Sequence, residues 1–146
     1  MPYVFRNNLR RIISSKQTIF NTSRLAQYFR NDSALEVPYI QAVRYVAAAR
    51  CDQVGLFMNA NYWDYPFWVI FEKKGYKVRL EHMRLSRIAP KAYPLGPFNP
   101  CAVIALNISD EELVIEGYPV FKKAQEFPSE SSFVRNVTVY IKPQMP

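Results

Sequence analysis

Residues 51–82, CDQVGLFMNANYWDYPFWVIFEKKGYKVRLEH, constrain the fold more than any other stretch of the chain. Residues 54–58 form an apolar run of strand length, suited to burial on both faces as in a parallel sheet. Asn59, Asn61 and Asp64 then supply turn and capping groups, Pro66 fits a first helical turn, and Gly75 suits the left-handed position at a helix end. Phe67, Ile70 and Phe71 share one face at helical spacing, so this helix should lie on a sheet. Residues 76–82 alternate, with Tyr76, Val78, Leu80 and His82 on one side and Lys77, Arg79 and Glu81 on the other. That pattern predicts a half-exposed strand near an edge. Parallel strands need a crossover of about a dozen residues or more, which is nearly always right-handed. The stretch therefore predicts one right-handed βαβ unit.

The flanking segments extend this unit. Thr22 or Ser23 can cap a helix with Leu25, Tyr28 and Phe29 on one face, stopped by Asn31, Asp32 and Ser33. A second helix, from near Pro38 to about Arg50, buries Tyr39, Val43, Val46 and Ala47, and its alanines at 47–49 suit close approach to a sheet. Residues 83–100 contain prolines 90, 94, 97 and 100, which exclude a helix and predict a long loop. Residues 101–106 read as a third strand, and 107–112 as a turn or short helix. Stretches 118–127 and 133–142 read as a hairpin, with Val137, Val139 and Ile141 on one side and Asn136, Thr138 and Tyr140 on the other. The expected fold is a single α/β domain over residues 1–146: a three-layer, Rossmann-like, mainly parallel sheet with a C-terminal antiparallel hairpin. Within it, residues 1–20 form a basic arm, 21–113 carry the helices and parallel strands, and 114–142 the hairpin.

The net charge of +7 is concentrated at the start. Arg6, Arg10, Arg11 and Lys16, followed by Arg24 and Arg30, precede the first acid, Asp32. Such a patch suits phosphates or an anionic membrane surface, or is simply a solvated face. Nucleic acid is the disfavoured partner, because no zinc-finger, ribonucleoprotein or helix-turn-helix pattern is present. No apolar run reaches the roughly 18 residues of a membrane span.

Ligands of open α/β sheets bind beyond the carboxyl ends of parallel strands, which singles out Asn59, Asn61, Trp63 and Asp64 as contact residues. Arg84, Arg87 and Lys91 add positive charge on the long loop. No glycine-rich phosphate fingerprint occurs there. Trp63, Tyr65 and Trp68 suit stacking on a sugar or base, although aromatic clusters at helix starts are more often core. His82 reads as an edge-strand histidine with a structural hydrogen bond, since its neighbours are Arg79 and Arg84. No nucleophile elbow is present and metal ligands are too few, so no catalytic residue, metal or cofactor is expected. Cys51 and Cys101 precede two predicted strands; they read as buried thiols, with a disulfide geometrically possible if those strands are neighbours.

A set of motifs also carries a family resemblance: Ile19-Phe20-Asn21-Thr22-Ser23-Arg24 with Gln27-Tyr28-Phe29, Pro38-Tyr39, Cys51-Asp52-Gln53-Val54-Gly55-Leu56, Trp63-Asp64-Tyr65-Pro66-Phe67-Trp68, Arg79-Leu80-Glu81-His82 and Pro100-Cys101-Ala102-Val103-Ile104. Over residues 3–142 the chain resembles the C-terminal domain of bacterial membrane glycosyltransferases of the dolichyl-phosphate-mannose protein mannosyltransferase type, the superfamily that includes lipid A aminoarabinose transferases. The resemblance implies a preceding multi-span membrane part that holds the catalytic acids and uses a polyprenyl-phosphate sugar. It implies a non-catalytic accessory domain on the periplasmic face of the membrane. The partners implied are the transmembrane part, a lipid-linked sugar or glycan acceptor, and the membrane surface. Such an address favours oxidation of Cys51 and Cys101. The alternative is a free-standing module that binds a small ligand or nucleotide in the strand-end crevice.

Overall fold

The computed structural model describes residues 22–58, 63–83 and 96–143. Among these residues three α-helices, α1 (Arg24–Tyr28), α2 (Glu36–Ala48) and α3 (Tyr65–Lys73), accompany six strands: β1 (Gln53–Phe57), β2 (Arg79–His82), β3 (Ala102–Leu106), β4 (Glu112–Leu113), β5 (Phe121–Pro128) and β6 (Asn136–Ile141). The strands form one sheet in the order β2-β1-β3-β6-β5-β4. The fold is α/β.

Local chemistry explains the helix ends. The Ser23 hydroxyl accepts from the Ala26 amide at 3.2 Å, satisfying one orphan donor at the start of α1. Pro38 lies in the first turn of α2 and Pro66 in that of α3, where neither costs a helical hydrogen bond. Gly75 follows α3 with φ of 73°, the left-handed stop anticipated from its position. Tyr76 donates its amide to the Phe71 carbonyl there.

β1 pairs in parallel with β2 on one side and β3 on the other, aligning Leu56 with His82 and with Ile104. Beyond β3 the direction reverses: β6 pairs antiparallel with β3, β5 with β6 and β4 with β5. The expected mainly parallel sheet is thus mixed. A tight return from β5 to β6 permits only antiparallel pairing, and β6 enters beside β3 as the hairpin's inner strand. Glu112, expected to close a turn or short helix over 107–112, instead joins Leu113 in β4, a short edge strand.

Pleat alternation divides the core in two. Val54, Leu56, Leu80, Ala102, Ile104, Leu106, Val137 and Val139 share one cluster with Tyr39, Val43, Val46, Phe67 and Ile70 from the helices and with Phe29 just past α1. Val103, Ala105 and Tyr140 point the other way, into a smaller cluster with Met83, Leu113, Ile115 and Phe121. Among the described residues, all three helices contribute to the first face, while loops and β4 cover the second. On α2, Tyr39, Val43 and Val46 are buried as expected, but Ala48 and Ala49 face solvent. The fully buried alanine of α2 is Ala42 instead, one turn before Val46 on the same stripe. A Cβ at Gly55 would lie 2.1 Å from Met83 Sδ, so any larger residue there has to displace the Met83 side chain.

Cys51 and Cys101 are joined in a disulfide, with Cα atoms 5.7 Å apart. They precede β1 and β3, whose parallel pairing brings the two positions to the same sheet edge.

Candidate functional site: the carboxyl edge of the parallel strands

β1 and β2 run in the same direction, and their carboxyl ends open beside the start of α3. Tyr39 of α2 organises this corner. Its ring stacks on Phe67 at 4.1 Å and 8°, Phe29 meets it edge-on at 5.3 Å, and its hydroxyl donates to the Trp63 carbonyl at 3.1 Å. The backbone entering α3 is thereby held by the core.

Asp64 occupies the capping position of α3 but makes no side-chain capping bond. Its Oδ2 lies 2.7 Å from His82 Nε2, both side chains being partly exposed. A carboxylate in this place orients the imidazole, and with neutral histidine it favours the tautomer that leaves Nδ1 as an acceptor. The pair can hold or pass a proton to a ligand at the strand ends. Among the described residues no three His, Cys, Asp or Glu side chains converge as a metal site.

The rim is aromatic. Trp63, Tyr65 and Trp68 are 41%, 56% and 42% exposed, so the core role favoured for this cluster is corrected. Phe67, Ile70 and Phe71 fill the buried face of α3, which leaves Tyr65 and Trp68 on the outer one. Tyr28 of α1 packs edge-on to Tyr65 at 5.2 Å, and its phenol is raised above its usual value, first by hydrogen bonding with Tyr65.

On the opposite face of β2, Arg79 binds Glu81 at 2.5 Å, lies 5.3 Å over the Phe98 ring, and donates to the carbonyls of Gly96 and Pro97. It fastens the returning chain to the edge strand. Tyr118 packs nearby, its phenol pushed up by burial and then by Glu81.

Of the sequence-derived contact residues, Trp63 and Asp64 meet at this edge. Asn59, Asn61, Arg84, Arg87 and Lys91 lie outside the described residues, as do Arg6, Arg10, Arg11 and Lys16 of the basic arm. The partner of His82 is the residue that sequence reasoning missed. Asp64 is 18 positions away in the chain, and only the parallel register, which sets His82 level with Leu56, brings them together. A usable signal existed, since Asp64 follows one predicted parallel strand and His82 ends the other, at the same sheet edge.

A scan against protein-family models, a search of curated proteins and a search of solved structures each find no match to this chain. Among the described residues no helix is long and apolar enough to cross a membrane.

Proposed function

We propose that this chain is a non-catalytic accessory domain of a polyprenyl-phosphate-sugar-dependent membrane glycosyltransferase, held on the extracytoplasmic, periplasmic side. In this reading it docks the acceptor or positions the enzyme at the membrane surface. The observation that carries the reading is the Cys51–Cys101 disulfide, because such bonds persist in oxidising compartments. The exposed Trp63, Tyr65 and Trp68 support it, since tryptophan and tyrosine suit boundaries that are apolar on one side and wet on the other.

The test is the reading frame upstream of the Met1 codon. A series of hydrophobic spans with acidic residues in the first external loop is the expected result. A ribosome-binding site directly before Met1 would sink the reading. In that event the Asp64–His82 pair favours the second one, a free-standing module that takes a small ligand or nucleotide at the strand ends.

A further inference from the structure

Both tryptophans of the chain, Trp63 and Trp68, stand exposed at the corner where β1 and β2 end and α3 begins. Trp68 lies one helical turn beyond Asp64 and three residues beyond Tyr65, so these three side chains are neighbours on the outer face of α3. The backbone beneath them is held from the core. Phe67, on the inner face, stacks on Tyr39, and the Tyr39 hydroxyl donates to the Trp63 carbonyl. Tyr28 braces Tyr65 edge-on at 5.2 Å. A platform ordered in this way before a ligand arrives leaves less conformational entropy to be lost on binding.

Beside the rings lies a polar pair that solvent reaches, the Asp64 side chain being 39% exposed and that of His82 29%. Their 2.7 Å bond occupies one carboxylate oxygen and one ring nitrogen. Asp64 Oδ1 and, in the neutral imidazole, His82 Nδ1 remain as acceptors, and neither has a hydrogen-bond partner among the described residues. The corner therefore combines flat apolar rings with accessible acceptors, and it suits a ligand that brings neutral donors together with an apolar face. Phosphates and nucleotides carry negative charge that Asp64 repels. Hydrocarbon brings no donor and would strip water from an ionisable pair. Simple cations approach a chain whose net charge is already +7.

We infer that this corner binds neutral pyranose sugars, and that these are the class of acceptor the domain docks. A pyranose ring presents C–H groups on one face and hydroxyl donors around its edge. The C–H face lies on the Trp68 and Tyr65 rings, and the hydroxyls donate to Asp64 Oδ1 and His82 Nδ1. The inference rests on the acceptor-docking reading for where the sugar comes from, while the site itself is argued from the residues of the corner.

The experiment is a titration of the whole chain with mannose, glucose, N-acetylglucosamine and their disaccharides. Tryptophan emission reports this corner alone, since both indoles lie there, and NMR follows the indole N–H and His82 ring signals. Saturable changes with at least one sugar are expected, with Kd of about 0.1–10 mM. Trp68→Ala should weaken binding about threefold to tenfold through loss of a stacking face, and Asp64→Ala similarly through loss of an acceptor. Both side chains are partly exposed, and Tyr65→Ala supplies a second stacking variant should either fail to fold. No saturation by about 100 mM of any sugar, or binding untouched by these substitutions, overturns the inference. Equal or tighter binding of adenosine, tetramethylammonium or inorganic phosphate does the same, as does an emission shift with lipid vesicles and none with sugars. Upstream membrane spans without a sugar response would remove this inference and leave the glycosyltransferase reading. A sugar response with a ribosome-binding site directly before Met1 would do the reverse.

Discussion

At the scale of single residues, several side chains do work that their sequence context does not announce. Asp64 stands where a capping carboxylate belongs, yet its oxygen reaches His82. Because both groups are partly exposed, Asp64→Ala should cost about 1 kcal/mol or less in urea denaturation. A loss above about 3 kcal/mol would mean that the pair behaves as a buried ion pair instead. At Gly55 the constraint is space, not a turn, since Met83 Sδ lies 2.1 Å from where a Cβ would stand. Gly55→Ala should destabilise by about 1–3 kcal/mol through overpacking. The same change made in a Met83→Ala background should cost less, a coupling that a double-mutant cycle measures directly. Tyr140 is fully buried and donates its hydroxyl to the Asp110 carbonyl at 2.9 Å. Burial first, and then Asp110, Glu126 and Glu111, push its phenol up to about 12. Folding thus favours the protonated phenol: this stability is complete below the ordinary tyrosine value near 10 and is lost as pH rises from there to about 12. Thermal melts should show that alkaline loss, and Tyr140→Phe should flatten it.

At the scale of elements, two cross-connections hold the parallel and antiparallel parts together. The disulfide ties the entrances of β1 and β3 across a sequence separation of 50. On the chain-entropy model a loop of that length is worth about 4 kcal/mol, toward the upper end of the usual range. Reduction, or the Cys51→Ala/Cys101→Ala pair, should lower the unfolding free energy by about 2–4 kcal/mol. An unchanged denaturation midpoint would show the bond to be dispensable. The other connection is β6, which pairs with β3 and β5 at once and carries Val137 and Val139 into the helix-facing core. The short β4 and the register shift between Lys123 and Gln125 lie toward the far edge, features that discourage edge-to-edge pairing. Lys123 is anchored there by Glu111 at 2.6 Å, whose hydrogen bond raises its ammonium above the usual value.

At the scale of the whole molecule, a chain of net charge +7 carries both of its tryptophans on the rim of one corner. If that corner meets a membrane, vesicles rich in phosphatidylglycerol should blue-shift the tryptophan emission, and added salt should reverse the effect. Neutral phosphatidylcholine vesicles should leave it unchanged; an equal shift with both lipids, or with neither, would sink the membrane role. Much of this architecture was legible along the chain. The β1–α3–β2 order, the caps at Ser23 and Gly75, the alternation of β2 and the β5–β6 hairpin all follow from signals spanning a few residues, where backbone sterics and hydrophobic period act locally. Trp63 and Asp64 were legible as site residues because they follow a strand predicted to be parallel. The Asp64–His82 contact, the unpaired Asn136 Oδ1, the exposure of the aromatic rim and the pairing of Glu112 and Leu113 as an edge strand were not. Each of these depends on which distant strands become neighbours and in what register. Sequence by itself determined the kinds of element and their buried faces, since φ/ψ preference and side-chain period are properties of neighbouring residues. Only the tertiary structure decided which polar groups would meet and which would be left unpaired, because partners and desolvation are set by packing between segments far apart in the chain.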